Sequence, residues 1–175
     1  MSIVASDIVI RLTTKSGSAG DSLAGTPAGS LGKYASTTAL TNATLANLFD
    51  NVSDVESAAG DTNYRAFYVL NNHATLTLTN ARVQINTDAA GGAAIDIATD
   101  NIGVTAKGSA SAQGAQIANE ATAPTGVSAF GDGPLTIGDI PPGSGAMVWV
   151  KRVVTAGQTA VPLDTVTIDV IGGTL

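Results

Sequence analysis

The side chains able to do chemistry are few and far apart. His73 is the only histidine and cysteine is absent, which excludes a two- or three-histidine metal centre, a thiolate site, a disulfide or a thiol nucleophile within one chain. His73 follows Asn71-Asn72, a turn by composition, and no serine in a nucleophile motif accompanies it. It reads as a turn histidine, not a catalytic base. Acidic residues gather at Asp50, Asp54 and Glu56, at Asp96 and Asp100, and at Asp132 between Gly131 and Gly133. None of these groups has the D-x-[DN]-x-[DN]-G spacing and closing Glu of a calcium loop, and turn formation accounts for each aspartate. No carboxylate pair stands with an aromatic platform that would hold a sugar for glycoside hydrolysis. The glycine-rich stretches contain neither G-x-G-x-x-G nor G-x-x-x-x-G-K-[ST], so nucleotide binding has no basis. The expectation is a protein that is not an enzyme and uses no metal, cofactor or small-molecule substrate.

Charge narrows the partners. Eight Lys plus Arg stand against fourteen Asp plus Glu, a net charge of -6, and the basic residues are scattered singly except Lys151-Arg152. Nucleic-acid binding needs a basic stripe to displace counterions from phosphates, and none is present. No apolar run approaches the roughly 20 residues of a membrane span. The opening MSIVASDIVIRL lacks the basic start and long apolar stretch of a signal peptide, so synthesis in a reducing cytoplasm is expected. Trp149, alone in an apolar run, reads as a packing residue, with an interface anchor as the alternative.

The elements that carry these residues read as strands. Ala, Gly, Ser and Thr supply 84 of the 175 residues, seven residues are aromatic and two are Glu. Long helices draw on residues that are scarce here, whereas Thr and Val suit strands and Gly, Asn and Asp suit turns. A first strand is expected over 7–13, where Ile8, Ile10 and Leu12 alternate with Val9, Arg11 and Thr13. The Gly/Ser/Ala stretch 16–33 follows without periodicity, as loop or arm. One short helix is expected between Thr38 and Asp54, capped by Thr41 or Asn42, with Leu45, Leu48 and Phe49 at three- and four-residue spacing. Because so long an irregular stretch is uncommon inside a compact domain, residues 1–60 read as an N-terminal arm with one strand and a short helix, lying on a neighbour, before a β-sandwich domain over 61–175.

Within that domain Tyr64–Leu70 reads as a strand. Thr75–Ile85 is a second one of unusual phase: Leu76 and Leu78 share one face, but Ala81, Val83 and Ile85 share the other. Such a flip calls for a bulge near Thr79-Asn80. Shorter strands are expected over 94–98, 102–105 and 134–140, and 108–119 could be loop, poor helix or edge strand. Pro141-Pro142-Gly143 is a turn. The run 145–154 is apolar on both faces, and 163–171 alternates Val166, Ile168 and Val170 with Thr165, Thr167 and Asp169. Together these favour an all-β fold, an antiparallel sandwich of about seven strands, with no repeat of 20 to 50 residues.

Several phrases resemble small structural proteins of tailed bacteriophages, in which an Ig-like β-sandwich follows an extended N-terminal segment. They are Ser30-Leu-Gly-Lys-Tyr34, Asn47-Leu-Phe-Asp50, Glu56-Ser-Ala-Ala-Gly-Asp61, Tyr64-Arg65, Asn71-Asn-His-Ala-Thr-Leu76, Ala118-Asn-Glu-Ala-Thr-Ala-Pro124, and Ile140-Pro-Pro-Gly143 leading into Trp149-Val-Lys-Arg152. The likeness runs from about 7 to 171 and consists of turn and strand phrases. It implies a virion component on the capsid exterior, assembled in the bacterial host cytoplasm. Foremost it implies a decoration or cement protein, commonly a trimer, that clamps the major capsid protein. The expected subunit or capsid contacts lie in the arm: Ile8, Ile10, Arg11, Lys33, Tyr34, Leu48 and Phe49. A tail or baseplate accessory is the alternative within the virion, and a secreted carbohydrate-binding or adhesive sandwich the alternative outside it.

Overall fold

The computed structural model describes residues 2–90, 92–159, 161 and 164–174. Its strands are β1 (Ile8–Thr14), β2 (Tyr34–Ala39), β3 (Asp61–Asn71), β4 (Leu78–Asp88), β5 (Ala94–Thr99), β6 (Thr105–Ala106), β7 (Leu135–Ile140), β8 (Ser144–Val154) and β9 (Val166–Thr174), with one helix, α1 (Asp54–Ala59), between β2 and β3. A larger antiparallel sheet has the order β2-β1-β3-β8-β5, with β6 also on β8, and a smaller one has the order β7-β4-β9. The protein is an all-β antiparallel sandwich of nine strands, against about seven expected. From β3 onward the chain passes between the sheets at almost every connection.

Burial explains why β3 and β8 sit at the centre. They pair from Asp61↔Val154 to Leu70↔Gly145, and both lack the polar alternation of a strand with one wet face. Phe67, Val69, Val148 and Val150 point between the sheets, where Leu78, Val83 and Ile140 meet them. Ala66, Tyr68, Leu70, Met147 and Trp149 point the other way into a second apolar cluster. Over 66–70 and 146–150 burial on both faces goes with an unbroken apolar run, and the buried Asn63, Arg65 and Arg152 beside these runs are held by hydrogen bonds.

What covers that second cluster is loop. Leu31, Ala115, Ile117, Val127 and Phe130 close over it, from the segments 15–33 and 107–131. The glycines of these segments work by close approach. A Cβ on Gly32, which has φ +90°, would lie 2.1 Å from the Ala115 carbonyl oxygen and 2.7 Å from the Trp149 ring, and one on Gly20 would lie 1.9 Å from the Lys107 carbonyl oxygen. Only backbone fits there.

The N-terminal region is therefore corrected. β1 finds its partner in its own chain, running Ile8↔Asn71 to Leu12↔Phe67 against β3, and β2 lies beyond it. The stretch 16–33 is tied down: Ala66 N–H donates to Ser30 O at 2.8 Å, Lys33 N–H to Ala115 O at 3.0 Å and Gly114 N–H to Lys33 O at 3.0 Å. The short helix expected between Thr38 and Asp54 with its cap at Thr41 or Asn42 is replaced there by turns with φ +54° at Ala43 and +53° at Ala46. The helix lies at α1 instead, where Ser53 Oγ accepts from Glu56 N–H and the Glu56 carboxylate accepts from Ser53 N–H. This is the capping box that Ser53-x-x-Glu56 encodes.

The bulge is present. The register of β4 shifts between Leu78 and Ala81 against β7 and between Thr79 and Arg82 against β9, and Asn80 has φ +50°. The extra residue lets Leu78, Ala81 and Val83 all face the core. The strand expected over 102–105 is reduced to β6. That expected over 163–171 is β9, whose first expected residue, Leu163, lies outside the described residues.

Candidate functional site

Polar side chains inside the molecule are engaged in holding it together. The Asp100 carboxylate is buried under the loop layer. Its Oδ2 accepts from Trp149 Nε1 at 3.2 Å and from Ala115 N–H at 2.8 Å, and its Oδ1 accepts from Ile102 N–H at 3.0 Å. Burial, with the Asp100 charge second, pushes the Tyr68 hydroxyl far above the usual phenol range. His73 Nδ1 accepts from the N–H groups of Thr75 and Leu76 at 3.1 and 2.9 Å, so this ring is spent on the turn it was expected to occupy.

Two buried arginines tie loops to the large sheet: Arg152 holds the segment between β2 and β3, and Arg65 holds the loops that carry Pro27 and Glu120. Arg152 donates to Asn63 Oδ1 at 2.8 Å and to the Asp50 carbonyl at 2.6 Å, and lies 3.5 Å from Glu56 Oε1. Its guanidinium stands 4.9 Å from the centre of the Phe49 ring. Arg65 pairs with Glu120 and donates to the Pro27 carbonyl. Bonds from the Ser53 backbone and hydroxyl, and then the Arg152 charge, hold the Glu56 carboxyl below the ordinary glutamate range.

Beside the Arg152 contacts lies a wide opening. The small sheet has three strands where the large one has five abreast, so part of the inner face of the large sheet lies beyond the reach of β9. The result is a cleft of about 1260 Å³. Ile8, Ile10, Phe67, Ile95 and Val150 form its floor, β9 forms one wall through Val166, Ile168 and Val170, and the segment 40–52 forms the other. Ile8, Ile10, Ile95, Ile168 and Val170 pack against the core but stay only partly buried. At the lining, Leu45 is 61% exposed and Val161 36% exposed.

The charge of the cleft is one-sided. Asp50, Asp88, Asp164 and Asp169 line it, with Arg152 the only basic residue among the described lining. Burial, with the neighbouring Asp164 charge adding to it, pushes the Asp88 carboxyl up even though it accepts from Ile95 N–H at 3.2 Å. Asp164 accepts from Ala93 N–H at 2.7 Å through Oδ2, while its Oδ1 is buried without a partner among the described residues. No group of three or more His, Cys, Asp or Glu that could hold a metal is present among the described residues.

The expected contact residues divide between two places. Ile8, Ile10, Leu48 and Phe49 line the cleft. The other three are used elsewhere: Arg11 pairs with Asp21 at 3.3 Å, Tyr34 is 2% exposed, and the Lys33 ammonium sits 5.0 Å from the Tyr34 ring. Leu48, at 7% exposure, belongs to the core. Sequence reasoning missed the β9 wall. Its signal was there, in Val166, Ile168 and Val170 alternating with polar residues at the end of the chain given. No protein-family model matches the chain, and neither a curated protein nor a solved structure matches it.

Proposed function

We propose that this chain is a virion structural protein, a capsid decoration protein that binds the assembled shell of the major capsid protein and stabilises it. One observation carries the reading beside the resemblance of its turn and strand phrases: the cleft is walled by aliphatic side chains and a strand edge. That chemistry suits the binding of extended polypeptide. Repetition over a shell multiplies weak contacts, so a modest cleft suffices when many copies bind at neighbouring lattice points. The contact surface in this reading is the cleft and its rim, since the N-terminal strands are committed to the chain's own sheet.

The test is to add the purified protein to shells that lack it and map occupancy by cryo-electron microscopy. Regular density on the outer face of the head is the expected result, with shells that withstand heating better than bare ones. Density confined to the tail or baseplate would replace this reading with that of a tail accessory, and bare shells at saturating protein would end it. Mass photometry of the protein alone tests the trimer that the resemblance implies.

A further inference from the structure

The sandwich treats its strand edges unequally. The outer edge of β2 is covered by the segment 21–25: Asp21 N–H donates to Ala35 O at 2.8 Å and Thr37 N–H to Leu23 O at 2.9 Å. The outer edge of β5 is covered by 127–131, where Ile97 and Gly131 exchange bonds of 2.9 and 3.0 Å and Ser128 N–H donates to Thr99 O at 2.9 Å. β7 is short and interrupted by Gly138 at φ +101°. β9 is less protected: Ile3 N–H donates to the Thr174 hydroxyl at 3.3 Å at its far end, and Asp169 is its one charge. Nine residues long, it ends the small sheet, and no backbone-to-backbone hydrogen bond reaches its outer edge among the described residues. Neither lysine nor proline, the usual guards of an edge, occurs in Val166–Thr174. That edge faces the cleft.

We propose that the cleft receives an extended apolar segment of a partner protein, flanked by lysine or arginine, which adds to β9 as the fourth strand of the small sheet. The backbone of the incoming strand meets the unpaired N–H and C=O groups of β9. Its alternate side chains descend onto Ile8, Ile10 and Ile95, completing the cover of the large sheet. The volume of about 1260 Å³ exceeds the roughly 300–1,000 Å³ of small-molecule sites. It suits a strand.

The charge selects the flanks and the source. Asp50, Asp88, Asp164 and Asp169 face a single arginine, whose guanidinium is shared by Asn63, the Asp50 carbonyl, Glu56 and, at 3.6 Å, the Asp50 carboxylate itself, which leaves Asp88, Asp164 and Asp169 without a basic partner among the described lining. A second copy of this chain, at net charge -6, would bring a further excess of carboxylates to that rim. A basic-flanked partner gains where a second copy is repelled. The inference rests on the reading of this cleft as a polypeptide-binding surface, and it defines the occupant by its chemistry whichever protein carries it.

The probe is a short synthetic peptide of alternating valine and threonine with lysines at both ends, compared with the same peptide carrying glutamates instead. Backbone hydrogen exchange is followed along the whole chain. With the lysine peptide, exchange slows in 166–174 and not in 34–39. The glutamate peptide binds at least about tenfold more weakly, equivalent to ~1.4 kcal/mol. Asp169→Asn, which removes one carboxylate of the cleft and keeps the side chain's size, weakens the lysine peptide, with circular dichroism checking that the fold is kept, and Ile168→Lys abolishes binding. Absence of slowing in 166–174, or equal binding of the two peptides, overturns the proposal. Because no shell enters the experiment, its failure leaves shell binding to be judged by itself.

Discussion

On one face of the large sheet Met147 and Trp149 lie under two long loops, and on the other Ile8 and Ile10 look into an open cleft. The covers are built from opposite materials. The loop layer has no regular structure beyond short turns and isolated bridges, yet it seals its face because Gly20, Gly32 and Gly114 let backbone approach backbone and side chain closely. The three-stranded sheet is regular, yet leaves its face unfinished because it stops at β9. Regular secondary structure and completeness of packing are separate properties, and here the irregular layer is the tight one.

That contrast is open to direct attack, and the loop face should yield most. Gly32→Ala forces a side chain into a positive-φ position against the Ala115 carbonyl and the Trp149 ring. The expected loss is ~3 kcal/mol in urea unfolding; a loss below 1 kcal/mol, about the scale of an ordinary surface change, would mean that the loop layer is loose. Trp149→Phe removes the indole donor from the buried Asp100 carboxylate and should cost about 2 kcal/mol, with the near-ultraviolet dichroism of the single tryptophan lost alongside. On the cleft face, Ile168→Thr touches a half-buried side chain and should cost no more than about 1 kcal/mol. If it costs as much as Gly32→Ala, the cleft is closed in solution and the two faces are alike.

The smallest effect is one of pH. The Glu56 carboxyl is held below its ordinary value, so its contribution to stability is complete above the ordinary glutamate value and is lost as pH falls through the lower, folded one. Asp88 has the opposite sign. Its carboxyl is pushed up, so its ionisation costs stability at neutral pH and its protonation relieves that cost on acidification. Glu56→Gln should therefore flatten the acid loss in thermal melts between about pH 5 and pH 3, whereas Asp88→Asn, which removes an offsetting gain on acidification, should make that loss steeper and raise the neutral melting temperature slightly.

The pattern of legibility in the sequence follows the same division. β3 and β8 could be read because burial on both faces goes with an unbroken apolar run, and the β4 bulge because a period of two betrays any inserted residue. The stretch 16–33 misled because small residues signal two opposite things. Gly, Ser and Ala make a free linker supple, and they also permit the closest packing that a backbone can achieve. Only the partners, Ala115 and Lys107 in a distant loop, distinguish these cases. Leu45, Leu48 and Phe49 imitate helical spacing, but Ala43 and Ala46 turn left-handed and Leu48 alone enters the core. The cleft was half legible: Ile8 and Ile10 stood out as an apolar face in want of cover, but the wall opposite comes from residues some 160 positions away.

The position of β8 also sets the order of events when the chain folds. It is the only strand that joins β3 to β5, and it anchors β6 as well. While the chain is being made, β1, β2 and β3 can associate early, but β5 has no neighbour in the sheet until residues 144–154 have appeared. β8 then enters between the edges of β3 and β5, with β9 still to follow on β4. The same strand, locked on both flanks, must be withdrawn for the protein to come apart, which favours long-lived native molecules over rapid exchange with the unfolded state.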